Sequence, residues 1–474
     1  MEKLKLLKTV MVSLVVMIFF THCKDDNQIP KTEYNPSKPV VIDHFTPDSG
    51  RVATQMLIYG SNFGSDRSKI SVTVKDKKAA VINVTDDGTI IYCIVPSFKK
   101  AGEIVKAGQL DSSFVKVKIG DQEVVPDKKF YYRYSQNVST FLGFTDQDGN
   151  SPIVDGSFDV AQFDRPFWLE FDREEKKGTP RNLFLLEEDR GARFIDMQKR
   201  TVETLFRIGN GVDRPRTIAF TLDYDTMIIA NDAGNWTDIG TIILVRQSNG
   251  YFPANIWKPV MNHKQCNGGA IHPTTNEYWF NSYEKSQVYK VKVKDRSVIP
   301  WVYWGATGSN ASGSDGANDF FKVQDNGWEF NIQIAPSGKF AYIVSRNKHY
   351  IAKTIFNFNT GNFEKSAPFV GSINKPGFLD GVGDNTQFHS PQQGAFDEED
   401  NFYVTDGENH CIRKITPGSQ VSTFAGRPQN AGYSDGAPRD AQFSYPLGIA
   451  YDRVNQVFYV ADRDNHRIRT IAVE

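Results

Sequence analysis

Asp380-Gly381-Val382-Gly383-Asp384-Asn385-Thr386-Gln387-Phe388-His389-Ser390-Pro391 is the stretch whose reading decides the fold, because its frame recurs. Asp-Gly, five residues, Gln-Phe, two residues and Pro return from Asp435-Gly436 through Gln442-Phe443 to Pro446, and from Asp155-Gly156 through Gln162-Phe163 to Pro166. The step from Asp380 to Asp435 fits about four times between Asp155 and Asp380, so these are the first, fifth and sixth members of an array. Weaker copies fall between them. Asn210-Gly211 with Pro215 precedes Thr217-Ile218-Ala219-Phe220 and Met227-Ile228-Ile229-Ala230; Gly268-Gly269 with Pro273 precedes Glu277-Tyr278-Trp279-Phe280; Asp315-Gly316 precedes Ile332-Gln333-Ile334-Ala335 and Phe340-Ala341-Tyr342-Ile343-Val344.

Inside the clearest unit, short apolar runs alternate with turn residues: Gly394 to Phe396, a turn from Asp397 to Asn401, Phe402 to Val404, a polar corner, Ile412 to Ile415, and Val421 to Phe424. That pattern predicts four short antiparallel strands. One such sheet cannot cover its own faces, so neighbours must stack, either radially as a propeller or linearly as a solenoid. The ends of the array decide. Val138-Ser139-Thr140-Phe141 with Gly143 matches Val421-Ser422-Thr423-Phe424 with Gly426, the last strand of a unit, yet precedes the first Asp-Gly, while the final unit stops after its third strand. The N-terminal strand is therefore expected to complete the last blade and close a six-bladed β-propeller over residues 135–474, leaving few open edges.

Tyr403-Val404-Thr405-Asp406-Gly407-Glu408-Asn409-His410-Cys411-Ile412-Arg413 and Tyr459-Val460-Ala461-Asp462-Arg463-Asp464-Asn465-His466-Arg467-Ile468-Arg469 resemble NHL repeats. That resemblance implies the propeller fold and leaves the activity open, since such propellers include binding proteins and enzymes. Pro39-Val40-Val41-Ile42-Asp43-His44-Phe45-Thr46-Pro47-Asp48-Ser49-Gly50, Met56 to Gly64, Ile91-Tyr92-Cys93-Ile94-Val95-Pro96 and Lys129-Phe130-Tyr131-Tyr132 resemble an IPT/TIG immunoglobulin-like domain, which implies a β-sandwich over residues 38–134 acting as a spacer. The alternation in Val115-Lys116-Val117-Lys118-Ile119 fits a half-buried strand of that sandwich. The class is all-β.

Residues 1–22 read as a signal peptide, with Lys3, Lys5 and Lys8 ahead of the apolar run Val10 to Phe20. Cys23 resembles a lipoprotein processing site, and Lys24-Asp25-Asp26-Asn27 resembles the acidic signal of outer-membrane surface lipoproteins in bacteria with Sus-type glycan uptake. Residues 23–37 would then be a tether; an ordinary cleaved signal is the alternative. Cys93, Cys266 and Cys411 are odd in number and widely spaced, which favours buried thiols over disulfides or a metal site. With 55 basic and 56 acidic residues, nothing suggests a nucleic-acid partner held by bulk charge.

No His-Glu-x-x-His, Gly-x-Ser-x-Gly, phosphate-cradling glycine loop or paired Cys-x-x-Cys occurs. The repeated pairs Asn409-His410 and Asn465-His466, with Asp406 and Asp462, read as structural corners; Asp and Asn in such corners serve turns as well as cations, so neither metal nor cofactor is assigned. Function must break the symmetry of a ring, which directs attention to unrepeated residues on the face where innermost strands begin and second strands end. The loop from Trp301 through Trp304 and Gly305-Ala306-Thr307-Gly308-Ser309-Asn310 to Trp328 is longer and richer in Gly, Ser, Asn and Trp than its equivalents. Trp168 and Trp279 fall in strands and read as core. Trp236, Trp304 and Trp328, with Tyr283, Asn231, Arg216, His263 and Arg346, form the candidate ligand-binding set, because rings beside hydrogen-bonding groups suit sugars.

The architecture resembles surface glycan-binding lipoproteins that accompany outer-membrane transporters, which implies glycan, transporter complex and membrane as partners. The alternatives are a polysaccharide lyase or hydrolase and a protein scaffold. Arg165, Arg214, Arg216, His263, Arg346 and His349 gathered round a carboxylate in a dry pocket would favour the enzyme; an open aromatic platform would favour binding.

Overall fold

The computed structural model describes residues 31–98, 110–134, 136–172, 182–209, 212–232, 242–246, 251, 266–282, 287–292, 301–303, 329–453 and 455–472. Two sheets built from residues 41–133 face each other. One carries Val41–Thr46, Gln55–Ser61, Ile90–Ile94 and Ala80–Val84; the other is centred on Leu110–Ile119, Lys129–Arg133 and Ile70–Val74. Met56, Ile58, Ile91 and Cys93 meet Val72, Val115, Val117, Phe130 and Tyr132 in a dry core. Val115, Val117 and Ile119 point in while Lys116 and Lys118 lie on the other side, as a two-residue period requires. The segment expected to be a tether is docked from Thr32 onward: the Thr32 N–H donates to the Asp86 carbonyl at 2.8 Å, and Tyr34 packs on the sandwich core.

Six more sheets follow. Their innermost strands, Pro166–Phe171, Pro215–Phe220, Gly269–Ile271, Phe330–Ile334, Pro391–Phe396 and Pro446–Asp452, each lie against the next, and the sixth returns to the first. Asn137–Leu142 pairs antiparallel with Arg467–Ala472, Val138 opposite Ile471, so the N-terminal strand closes the ring. The matched glycines explain why its sequence looks like a fourth strand. Gly143 and Gly426 have φ of +88° and +98°, and a Cβ there would stand 2.6 and 2.8 Å from the carbonyl oxygens of His466 and His410. Trp168 and Trp279 are core residues, and Cys93, Cys266 and Cys411 are buried free thiols.

The Asp-Gly frame has a physical cause, a buried arginine clamp. Arg413 donates to Asp406 at 2.8 Å and to Asp380 at 2.7 Å; Arg469 donates to Asp462 at 2.7 Å and to Asp435 at 2.6 Å; Arg193 donates to Glu187 at 3.0 Å and to Asp155 at 2.8 Å. Each clamp ties the second and third strands of a blade to the loop that opens it. In the middle blades the arginine's register is held by Ile243, Lys290 and Ala352, and the acidic position by Asn231, Asn281 and Ser345. At Ile243 and Ala352 no cation stands, which favours losing the anion because an unpaired buried carboxylate is costly, while Lys290 pairs instead with Glu277 at 3.2 Å. The third copy also sits differently from its expected register: Gly269 opens the innermost strand and Pro273 lies in the turn after it.

Candidate functional site

Two positions of the repeat supply side chains to the axis on the face where innermost strands begin: the residues flanking the start of the innermost strand, and the residue just after the second strand in the first, second, fourth and sixth blades. The hydrogen bonds of the repeat fix both. The Glu188, Asp232 and Arg346 N–H groups donate to the carbonyls of Arg165, Arg214 and Glu329 at 2.8, 2.9 and 2.9 Å, which turns their side chains toward the axis.

There they form a network of opposite charges. Arg216 donates through Nη2 and Nε to Asp232 at 2.8 and 3.2 Å and lies 3.9 Å from Glu188. Arg463 donates through Nε to the same Glu188 at 2.8 Å. Arg346 donates to Glu329 and to the Tyr445 hydroxyl, both at 2.6 Å. The Tyr445 ring lies between two guanidiniums, 5.3 Å from Arg463 and 6.0 Å from Arg346. Burial pulls the pKa of Arg346 down, but Glu329, Tyr445 and Glu188 outweigh it and hold the group above its ordinary value. These side chains are between 9% and 25% exposed, enough for a ligand to touch and little enough for the pairs to be only partly screened.

Beneath them Phe167, Asn267, Phe330, Asn331 and Gln392 line a small axial cavity of ≈ 10 Å³, room for one water-sized group. Gln392 is 5% exposed and its Oε1 has no hydrogen-bond partner. Below it, Gln393 plugs the axis: its Oε1 accepts from the Leu169 and Ile449 N–H groups at 3.0 Å, and its Nε2 donates to the Leu169 carbonyl at 2.7 Å. A second cavity of ≈ 320 Å³ opens on the far face.

Arg216 and Arg346 stand together around carboxylates, but at a partly open mouth and not in the dry pocket expected of an enzyme. Arg214 is more peripheral, 3.8 Å from Asp232 and 42% exposed. Trp236, Tyr283, His263, Trp304, Trp328 and Cys23 lie outside the described residues. Asn231 stands behind the face. It is fully buried, and its Oδ1 accepts from the Asp213 and Arg214 N–H groups at 3.1 Å, the same task that Asp406 and Asp462 perform for His389 and Ser444.

His349 is likewise structural. Its Nδ1 accepts from the Ser390 N–H of the next blade at 3.1 Å, and His410 does the same for Tyr445 at 3.1 Å. Both have left-handed φ, 61° and 53°. Asn409 and Asn465 donate to Asp406 and Asp462 at 2.8 Å, closing their corners. Glu188, Asp232, Glu329, Gln392, Tyr445 and Arg463 were not in the sequence-derived set. Aligning the residue that follows Glu187, Asn231, Ser345 and Asp462 would have found four members of the network, Glu188, Asp232, Arg346 and Arg463.

The His349 bond carries a pH dependence. Burial, then the charges of His389 and Lys348, push its pKa down to about 4, and protonation would also remove the lone pair that binds Ser390. The folded value lies below the unfolded ~6.5, so its contribution is complete above that pH and is lost as pH falls toward 4. The ring is half-buried, so the effect after screening is about 1 kcal/mol. Asparagine tolerates the left-handed backbone. His349→Asn should therefore lose less melting temperature than the parent between neutral pH and pH ~4; equal losses would exclude this role.

The sandwich leaves this face clear. Arg200, in the turn between the third and fourth strands of the first blade, places its guanidinium 4.7 Å over Tyr92 and hydrogen-bonds Gln55; Arg51 hydrogen-bonds Ser139. Turns of that kind belong to the opposite face.

The IPT/TIG domain family matches residues 39–132 and the NHL repeat family residues 443–471. An auxiliary nutrient binding protein from Bacteroides thetaiotaomicron is 34% identical, with 93% of this chain and 99% of that chain covered at a TM-score of 0.62. Another from Bacteroides ovatus is 29% identical, with 94% and 100% covered at 0.63. A B. thetaiotaomicron protein provisionally called a phosphatase is 31% identical, with 94% and 99% covered at 0.63. Among curated sequences, NHL repeat-containing protein 2 of Bos taurus is 32% identical over 100 residues, 21% of this chain and 14% of its own, so the chain spans about one seventh of that relative.

Proposed function

The chain belongs to the same family as the Bacteroides thetaiotaomicron auxiliary nutrient binding protein, and from that premise we propose that it captures a nutrient glycan at the cell surface, on the propeller face around Glu188, Arg216, Glu329, Arg346 and Arg463. The observation that carries this reading is the mutually paired network of planar donors and acceptors at the axis, open to solvent on the face that the sandwich leaves free. Such a network orients a polar ligand without itself reorganising. Cys23 would carry the lipid anchor, acyl chains contributing ~0.8 kcal/mol per buried CH₂, and the sandwich would hold the propeller off the membrane to serve an outer-membrane transporter. Trp236, Tyr283, Trp304 and Trp328 would add stacking surfaces and His263 a polar contact. A stacked sugar face of ~100 Å² contributes roughly 2 kcal/mol, so affinities of micromolar to millimolar order are expected once ordering is charged against it.

Affinity electrophoresis of the protein against a panel of polysaccharides tests this, with assays for reducing ends, unsaturated products and phosphate release on the same mixtures. Retardation without product, weakened about tenfold or more by Arg346→Ala and reduced by Trp304→Ala or Trp328→Ala, is the expected result. Product release would replace binding by catalysis; retardation by no glycan would refute the reading.

A further inference from the structure

We infer that the axial mouth selects neutral sugars bearing adjacent hydroxyl groups and rejects uronic acids and sulfated or phosphorylated sugars, an assignment that rests on the binding reading above. Among the described residues, each of the three guanidiniums at its centre is already matched. Arg216 faces Asp232 and Glu188, Arg463 faces Glu188, and Arg346 faces Glu329. An anionic ligand would have to draw one of these arginines away, leaving a mostly buried carboxylate beside a second negative charge. That juxtaposition opposes binding.

The unmet demand in the mouth is for a hydroxyl; acidic sugars carry hydroxyls too, so the rejection of anions rests on the matched guanidiniums. Gln392 lines the axial cavity, and its buried Oε1 has no hydrogen-bond partner. An amide oxygen can only accept, so it calls for a donor. A sugar hydroxyl supplies one; an ionised carboxylate, sulfate or phosphate does not. The cavity admits a single water-sized group, so the sugar ring stays above Arg216 and Arg346 while one hydroxyl enters. Its neighbour then meets an arginine–carboxylate pair, where it donates to the carboxylate and accepts from the guanidinium. A hydroxyl does both at once, and two adjacent hydroxyls fit the paired edge as neither isolated hydroxyls nor anions do.

The test is binding of the full chain to two sets of polysaccharide probes, neutral (mannan, galactan, arabinan, β-glucan) and acidic (polygalacturonate, alginate, heparin), at low salt and at about 0.5 M salt. At least one neutral probe should bind with an affinity that changes less than about threefold between the two, because no net charge is exchanged. Gln392→Met should lower that affinity about tenfold or more with an unchanged or higher melting temperature, since the substitution removes an unpartnered buried acceptor and breaks no bond of its oxygen. Binding confined to acidic probes and abolished by salt would overturn the selectivity and leave the binding reading standing. Gln392→Met binding like the parent would overturn the role of the cavity. If no probe of either class binds, both readings fall.

Discussion

Exchanging Arg469 for isoleucine should cost the propeller about 3–5 kcal/mol, the range for breaking a buried ion pair on one side. Arg469 is fully buried and bridges Asp462, Asp435 and the carbonyls of Gln442 and Ser434 at 2.6 to 3.0 Å. Its removal leaves the Asp462 carboxylate, itself fully buried, with only the Ser444 N–H and the Asn465 amide as partners. Desolvation would then push the Asp462 pKa up unopposed by a cation, so the deficit should narrow as pH falls and the group takes a proton. The second blade already shows the remedy: Asn231 stands at the acid's place and Ile243 in the arginine's register. Adding Asp462→Asn to Arg469→Ile should accordingly recover a large part of the loss, because replacing both partners differs from stranding one. Denaturant midpoints of the parent and the two variants check this. A single variant less than about 1 kcal/mol below the parent, or a double variant no better than the single, would show that the clamp is not what holds the blade.

The same clamp explains what was legible in the sequence. The frames at Asp155, Asp380 and Asp435 stand out because a buried arginine needs a carboxylate there, and a carboxylate cannot drift to another residue type while the arginine remains. Where Ile243 and Ala352 replaced it, that constraint lapsed and the copies faded, which is how Gly268-Gly269 and Pro273 came to be read out of register. Closure was legible for a similar reason, since Gly143 must accept a carbonyl oxygen where any side chain would collide. The axial site was legible only in part. Arg216 and Arg346 stood out as unrepeated cations, but their partners Glu188, Glu329 and Tyr445 come from the first, fourth and sixth blades and meet only when the ring closes. Asn231 misled because it is a drifted member of the series of Asp406 and Asp462 and so looks unrepeated, whereas His349 stands in the same register as His410 and His466, and only the faded copy around it hid the repetition.

The ring's closure makes the second large effect predictable, at Val138. Its side chain is fully buried between the fifth and sixth blades, among Tyr403, Ile412, Phe443, Phe458 and Ile471, and its backbone N–H and carbonyl both bond Gly436, at 2.8 and 3.0 Å. Val138→Asp places a charge in that apolar space, a cost of at least about 4 kcal/mol unless the strand leaves. Leaving is the cheaper course, because Asn137–Leu142 is joined to the propeller at one end only, and beyond its pairing along Arg467–Ala472 it is held by the short bridge to Gly436 and a bond to Asp435. The third strand of the last blade then becomes an open edge, with unpaired N–H and carbonyl groups in a row. Val138→Asp should therefore form oligomers and be cut by protease near the junction of sandwich and propeller. Val421→Asp, at the matching place in the fifth blade, should lose comparable stability without either sign, since its strand is held within a continuous blade and between covalent neighbours. Ser422→Asp, exposed on that strand, should stay within about 0.5 kcal/mol of the parent. Light scattering and limited proteolysis of the three variants separate local damage from ring opening. A monomeric, protease-resistant Val138→Asp would mean that the other five inter-blade interfaces hold the ring without its closing strand.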